Sequence, residues 1–312
     1  MTVEEANYRF RSNDGAEIYV YKWRPEKPHR GIVHIVHGLA EHGARYQWTA
    51  CTLASSGYIV YAHDHRGHGR TAGSPERCGN LAEHDGWNRA VADIALLLQA
   101  EKKENPGLPV TLLGHSMGSF MVQQMMYQHP ELLDACALSG SRGKPDLHVY
   151  LARILGFCER KRLGPDAPSV FLHRFSLKEA NKAFRPIRTD FDWLSRDTVR
   201  VDEFVRDPFC GWAGPSQLWI DLTYGLIQIA RPENQRRIPA NLPVYIFGGT
   251  RDPINAGCKG LKQLIEAYRR AGLTNIRYKF YREARHETLN EINRDEVAAD
   301  LLAWLGTCGR LA

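Results

Sequence analysis

One stretch restricts this chain more than any other: Gly114-His115-Ser116-Met117-Gly118, taken with its flanks. Before it, Pro109-Val110-Thr111-Leu112-Leu113 is a short apolar run that reads as a buried strand. After it, Ser119 to Gln128 is Met-rich, free of Gly and Pro, and closed by Pro130, which reads as a helix. A strand turning sharply into a helix at G-x-S-x-G forms a nucleophile elbow, which lifts a serine hydroxyl above the end of a sheet. Gly114 and Gly118 suit such a turn, because a Cβ at either place would collide with it. The five letters alone are weak evidence, since an inert strand-to-helix loop can carry them too. The remainder of the chain has to decide.

That remainder alternates. Glu17 to Trp23 reads as a strand by its period of two, and Gly31 to Val36 as a central parallel strand by its unbroken apolar run. Tyr46 to Ser55 reads as a helix, Tyr58 to Ala62 as a buried strand, and Trp87, Val91, Ile94, Ala95 and Leu98 as one helix face. Ala135 to Leu138 and Val244 to Phe247 are further strands, and Ile276, Tyr278 and Phe280 mark one near the sheet edge. Leu261, Leu264, Ile265 and Tyr268 mark a helix, and a final helix is closed by Gly306. Strands alternating with helices predict a mostly parallel sheet covered on both faces. Between about 141 and 238 the rhythm breaks. Leu147, Tyr150, Leu151, Ile154, Leu155 and Cys158 form one helical stripe, and Leu218, Trp219, Leu222, Leu226 and Ile229 a second. This segment reads as a helical insertion, giving a core of 1–140 and 239–312 under a cap of 141–238.

Composition narrows the class. With 312 residues and 43% hydrophobic content the chain suits a soluble globular protein with a large core. Its net charge of +6 is mild and scattered, which argues against nucleic acid as partner and leaves weak contact with anionic lipid surfaces open. Seven cysteines, widely spaced and odd in number, point to a reducing, cytoplasmic setting, with Cys136 as an inert core thiol. Met1 to Asn7 carries two glutamates and no apolar core, unlike a secretory signal. No apolar run reaches membrane-spanning length. The histidines of His63-Asp64-His65-Arg66-Gly67-His68-Gly69 do not follow a zinc spacing, and alternation across a strand end predicts that His63 and His65 diverge.

A serine hydroxyl needs a base, and the base needs an orienting partner. On a fold of this kind the chain order is serine, acid, histidine. Asp252 follows a buried strand in Gly248-Gly249-Thr250-Arg251-Asp252-Pro253, and His286 follows the last strand in Ala284-Arg285-His286-Glu287. Each alone reads equally well as a turn aspartate or a surface histidine. Together with Ser116, at carboxyl ends of strands, they form a candidate triad. The N–H of Met117 and the N–H of Leu39, in the loop His37 to Gly43, are the candidate oxyanion donors. His115, Leu151, Ile154, Leu155, Trp219 and Leu222 are the candidate substrate contacts. The two apolar stripes fit a pocket for an acyl chain, and equally fit plain packing of the cap on the sheet.

These motifs, with Arg45-Tyr46, Leu194-Ser195-Arg196-Asp197, Val201-Asp202, Asp207-Pro208 and Asn290-Glu291, resemble the α/β-hydrolase superfamily. More narrowly the chain resembles its monoacylglycerol lipase and lysophospholipase-like serine hydrolases, in the serine aminopeptidase S33-like group. The resemblance implies an α/β-hydrolase fold with eight mostly parallel strands and a helical cap inserted after the sixth. It implies Ser116, Asp252 and His286 as nucleophile, acid and base, Leu39 and Met117 as oxyanion donors, no cofactor and no metal. The expected reaction is carboxyl-ester hydrolysis through an acyl-enzyme, on a small-molecule ester or lipid. Ser119 departs from the group, which often has glycine there. A small-molecule esterase, thioesterase, amidase or peptidase on the same triad is the rival enzyme reading. A ligand-binding protein on a hydrolase scaffold is the rival of another class. Ser116, in place of a carboxylate, speaks against a dehalogenase.

Overall fold

Unbroken apolar runs build the centre of the sheet. In the computed structural model, which describes residues 2–26, 28–177 and 180–308, eight strands form one sheet. They are β1 (Val3–Arg11), β2 (Glu17–Pro25), β3 (Gly31–Val36), β4 (Tyr58–His63), β5 (Val110–His115), β6 (Ala135–Ser139), β7 (Val244–Gly249) and β8 (Ile276–Tyr281). Every residue of β3 to β7 is buried, as strands covered on both faces require. The order is β1-β2-β4-β3-β5-β6-β7-β8, with β2 antiparallel to both of its neighbours, β1 and β4, and every other pair parallel. From β3 the chain moves outward to β4, then crosses back to lay β5 on the other side of β3. The order therefore reverses between β3 and β5. Open α/β sheets bind ligands at such a switch point, outside the strands' carboxyl ends.

Helices cover both faces. The chain-ordered set is α1 (Gln47–Ser55), α2 (Gly69–Ala72), α3 (Gly86–Glu104), α4 (Met117–Gln128), α5 (Leu147–Leu163), α6 (Val170–Leu177), α7 (Thr198–Arg206), α8 (Ser216–Ile229), α9 (Pro232–Gln235), α10 (Lys259–Ala271) and α11 (Arg294–Cys308). Alternate residues of β3 point to opposite sides. Ile32 and Val36 pack with Ile94 and Leu98 of α3, Met121 of α4 and Leu264 of α10. Val33 and Ile35 pack with Leu53 of α1 and Leu301 and Trp304 of α11. Between β6 and β7 the described residues form only helices, turns and one isolated bridge, Pro168 with Pro215. Residues 178 and 179 of the inserted segment, and 1, 27 and 309–312 of the expected core, lie outside the described residues.

One strand goes beyond the expectations above, and two local expectations change. Residues 3–11, with few apolar side chains, form edge strand β1 all the same, because it is held by main-chain pairing to β2 from Val3↔Pro25 to Arg11↔Glu17. The last helix does not stop at Gly306 but continues to Cys308. His63 and His65 do not diverge: His63 Nε2 lies 3.0 Å from His65 Nδ1. The strand ends at His63, and Asp64 turns the chain by accepting the N–H groups of Gly43 at 2.8 Å and Arg70 at 2.7 Å. The period of two has no hold beyond that turn.

Candidate active site

At the switch point the end of β5 meets the end of β3. Ser116 stands between β5 and α4 with φ 49° and ψ −121°, a conformation that side-chain-bearing residues rarely adopt. The turn is pinned by Ser116 N–H donating to the Ser139 carbonyl at 2.9 Å and by Ser119 N–H donating to the Ser116 carbonyl at 2.9 Å. The flanking glycines are needed for close approach. A Cβ on Gly118 would sit 2.1 Å from the Val36 carbonyl oxygen and 2.4 Å from that of His37. A Cβ on Gly114 would sit 2.7 Å from the Gly118 carbonyl oxygen. The elbow is thus pressed against the carboxyl end of β3. Ser119, the departure from glycine, turns its hydroxyl onto the Ser116 carbonyl at 2.6 Å, and the same oxygen lies 2.7 Å from Ser141 Oγ.

Asp252 and His286 arrive from the loops after β7 and β8. His286 Nδ1 and Asp252 Oδ2 are 2.9 Å apart, with both side chains buried. Asp252 accepts two further hydrogen bonds, from Ile254 N–H at 2.8 Å and Asn255 Nδ2 at 2.7 Å. Burial works against a charged imidazole at His286, but the charge and hydrogen bond of Asp252, with help from Glu287 and Glu41, outweigh it and raise the pKa. With Nδ1 committed to a carboxylate, Nε2 is the nitrogen left to take a proton from a hydroxyl. His115 packs beside His286, ring centroids 4.8 Å apart. Burial, then the neighbouring His286, pushes its pKa down to about 3, so it stays neutral.

A cavity of about 440 Å³ opens over these groups, within the usual range for small-molecule sites. Gly38, Leu39, Ser116, Met117 and His286 all line it. Much of the remaining wall is apolar, including Phe120, Val149, Ala152, Trp219, Leu222 and Leu226. Of the expected contacts, His115, Trp219 and Leu222 line the cavity, whereas Leu151, Ile154 and Leu155 do not. Leu151 is 43% and Ile154 60% exposed. The reason is the phase of α5. Its buried face is Val149, Ala152, Gly156 and Glu159, so the small residues, not the large ones, face inward. A Cβ on Gly156 would come within 3.0 Å of Ile220 Cγ1 on α8. Close packing of α5 on α8 uses the small-residue face and leaves Leu151 and Ile154 outside, while Leu155, half-buried, packs against the core.

A brace that the order of residues does not foretell holds the loop carrying Leu39. Glu41 accepts from Gly38 N–H at 2.6 Å and from Tyr46 Oη at 2.8 Å, and pairs with Arg45. Arg45 also grips Glu287 with two bonds of 2.7 Å, a bidentate geometry that fixes orientation. Burial acts to raise both carboxyl groups; Glu41 stays raised, while Arg45 brings Glu287 down to about 2. Glu287 follows His286 directly, so the brace couples the two loops. The signal was present only as Glu41, Arg45 and Glu287 standing in separate motifs.

Comparison with known proteins fits this geometry. The chain is 28% identical over 305 residues to the monoacylglycerol lipase of Mycolicibacterium smegmatis, covering 96% of each. It is 26% identical over 302 residues to the monoglyceride lipase of Mus musculus, covering 94% of this chain and 88% of that one. The solved structure of a highly thermostable carboxyl esterase from Bacillus coagulans, in complex with glycerol, superposes with a TM-score of 0.91 at 23% identity, covering 99% of this chain and all of that one. That likeness establishes the α/β-hydrolase fold. The sequence pattern described as serine aminopeptidase, S33, matches residues 27–293. With that pattern spanning most of its length, the chain belongs to the serine aminopeptidase S33 family of α/β-hydrolases.

Proposed function

We propose that this protein is a serine hydrolase that cleaves carboxylic esters of lipids, of the monoacylglycerol or lysophospholipid class, through an acyl-enzyme. The observation that carries the reading is that Ser116 and His286, the latter backed by the buried Asp252, open into one largely apolar cavity. Ser116 is the nucleophile and His286 takes its proton. Asp252 holds the imidazole, and the N–H groups of Leu39 and Met117 receive the oxyanion. His286 then protonates the departing alcohol and activates water to free the acid. The names of the relatives support the lipid class, and the segment 141–238 is read as a cap over the cavity.

Chain length tests the substrate. A methylene moved from water into an apolar cavity contributes about 0.8 kcal/mol, roughly fourfold in kcat/KM if realised in the transition state. A series of p-nitrophenyl esters is therefore expected to rise from acetate toward medium chains, and Leu222→Trp to shift the optimum to shorter ones. A flat or acetate-favouring wild-type series would count against a lipid substrate.

The pH profile tests the base. Only neutral imidazole can take the serine proton, so activity falls as pH drops through the His286 pKa. Because that pKa is raised, the acidic limb of kcat/KM is expected to lie above the ordinary value of about 6.5. A limb at or below that value would contradict the arrangement.

No helix among the described residues is long and apolar enough to cross a membrane. Contact with a lipid surface is instead proposed through the outer face of α5. There Leu147, Tyr150, Ile154 and Phe157 are exposed beside Arg160 and Lys161, an amphipathic mix suited to an interface. Co-sedimentation with anionic vesicles should weaken in Ile154→Asp, with p-nitrophenyl acetate turnover unchanged. Equal sedimentation of both proteins would remove the face from consideration.

A further inference from the structure

Beneath the loop that carries Leu39 runs a line of buried polar side chains that this reaction does not use. Glu101 Oε1, on α3, lies 2.7 Å from His34 Nδ1, on β3. His34 Nε2 lies 2.7 Å from His63 Nδ1, and His63 Nε2 lies 3.0 Å from His65 Nδ1. His65 Nε2 reaches the His37 carbonyl at 3.1 Å. His65 N–H donates to His37 Nε2 at 3.0 Å, and His37 Nδ1 lies 2.8 Å from the Gly38 carbonyl. None of the five side chains is more than 1% exposed.

The partners fix the protons. A carbonyl only accepts, so His65 Nε2 carries a hydrogen and its Nδ1, in a neutral ring, accepts. His63 must then donate through Nε2 and accept at Nδ1, and His34 must do the same. The group left to donate to His34 Nδ1 is the Glu101 carboxyl, which must hold its proton. At the far end His37 accepts at Nε2 and donates through Nδ1. Every ring nitrogen of the four histidines is then satisfied without a charge. An ionised Glu101 would instead require an imidazolium somewhere in the line.

The surroundings favour the neutral form. Glu101 Oε2 has no partner among the described residues, a heavy cost for a buried carboxylate oxygen. Lys22, the cation near it, is bound to Glu104, which also accepts from Tyr61 Oη at 2.9 Å. Tyr61 stacks on His34, and His68 faces His37 and His65. Burial, then the charge of Glu104, holds the Glu101 carboxyl well above the usual range. Burial holds His34 down to about 3; burial and neighbouring imidazoles hold His37, His63 and His65 well below normal.

We propose that Glu101, His34, His63 and His65 form an uncharged, one-way hydrogen-bond line that positions the His37–Gly38 peptide, and through it the Leu39 N–H, for an oxyanion at Ser116. The line ends on the carbonyl of that peptide, while the N–H of the same peptide is held by Glu41. Both edges of the plane are thereby fixed one residue before the oxyanion donor. Gly118 of the elbow lies against the same carbonyl, so a rotation there would disturb the nucleophile as well. These are positioning residues, and the assignment rests on the serine-hydrolase reading above.

Two measurements on the full chain test it. In ¹⁵N-histidine NMR from about pH 5 to about pH 9, the span in which free imidazole changes charge, His34, His63 and His65 are expected to stay neutral with hydrogen on Nε2. His37 is expected to stay neutral with hydrogen on Nδ1. An imidazolium in any of the four at neutral pH would overturn the proposal. In kinetics, Glu101→Gln keeps a neutral donor toward His34 and is expected to retain kcat within about twofold, whereas Glu101→Leu should lose about tenfold in kcat with KM little changed, a fraction of what outright loss of an oxyanion donor costs. A Gln variant as damaged as Leu, or a Leu variant with full kcat, would refute it. If the Leu variant does not fold, the Gln variant and the NMR signature decide. Failure of the line leaves wild-type Ser116 open to a fluorophosphonate probe; failure of the serine-hydrolase reading removes that labelling altogether.

Discussion

Replacing Ser116 with Ala is expected to lower kcat for ester hydrolysis on the order of a millionfold, the loss seen when the nucleophile of such a unit is removed. The fold should survive. The strained φ of 49° is set by the backbone around residue 116, and alanine carries the same Cβ there. The bonds that pin the turn, Ser116 N–H to the Ser139 carbonyl and Ser119 N–H to the Ser116 carbonyl, are main-chain bonds that alanine keeps. Thermal unfolding and circular dichroism should therefore match wild type while p-nitrophenyl ester turnover and fluorophosphonate labelling vanish. Retained turnover with a native unfolding transition would remove Ser116 from the mechanism, and the ester-hydrolase reading with it.

How much of this site the sequence revealed follows from the range of the forces involved. The elbow was legible because its demands are local: a buried strand, two glycines where any Cβ collides, and a helix, all within twenty residues. Asp252 and His286 were legible because strand ends are marked by where apolar runs stop. The edge strand β1 was not, since main-chain pairing to β2 holds it and its side chains, mostly exposed, carry little pattern. The phase of α5 was misread because size was taken as the sign of burial, whereas a close helix crossing selects Ala152 and Gly156. The Glu41–Arg45–Glu287 brace joins residues 242 positions apart, and nothing in the order of letters says that two loops will meet. The histidine line is a similar case. His34 and His63 lie on neighbouring strands, but His65 joins them only because Asp64 turns the chain.

Asp252→Asn is expected to lower kcat about ten-thousandfold while leaving the geometry intact, as loss of the orienting carboxylate does in such triads. The surroundings of this aspartate say which way the amide will face. Its Oδ1 takes the Ile254 N–H at 2.8 Å, a main-chain donor that cannot rotate away. Its Oδ2 takes Asn255 Nδ2 at 2.7 Å and faces His286 Nδ1 at 2.9 Å. Asn255 is itself fixed, because its own oxygen accepts the Cys258 N–H at 2.6 Å. The new amide has one acceptor for this set of donors, and the immovable Ile254 N–H claims it. The NH₂ group is then turned toward His286, which must present Nδ1 as acceptor and carry its hydrogen on Nε2. In that tautomer it cannot take the serine proton. The variant also loses the charge that raises the His286 pKa, so burial, now less opposed, shifts the acidic limb of the residual kcat/KM to lower pH. Loss of rate together with a downward-shifted limb distinguishes an orienting carboxylate from a merely structural one. A variant with near wild-type kcat, or with its limb unmoved, would show that Asp252 does not act through His286.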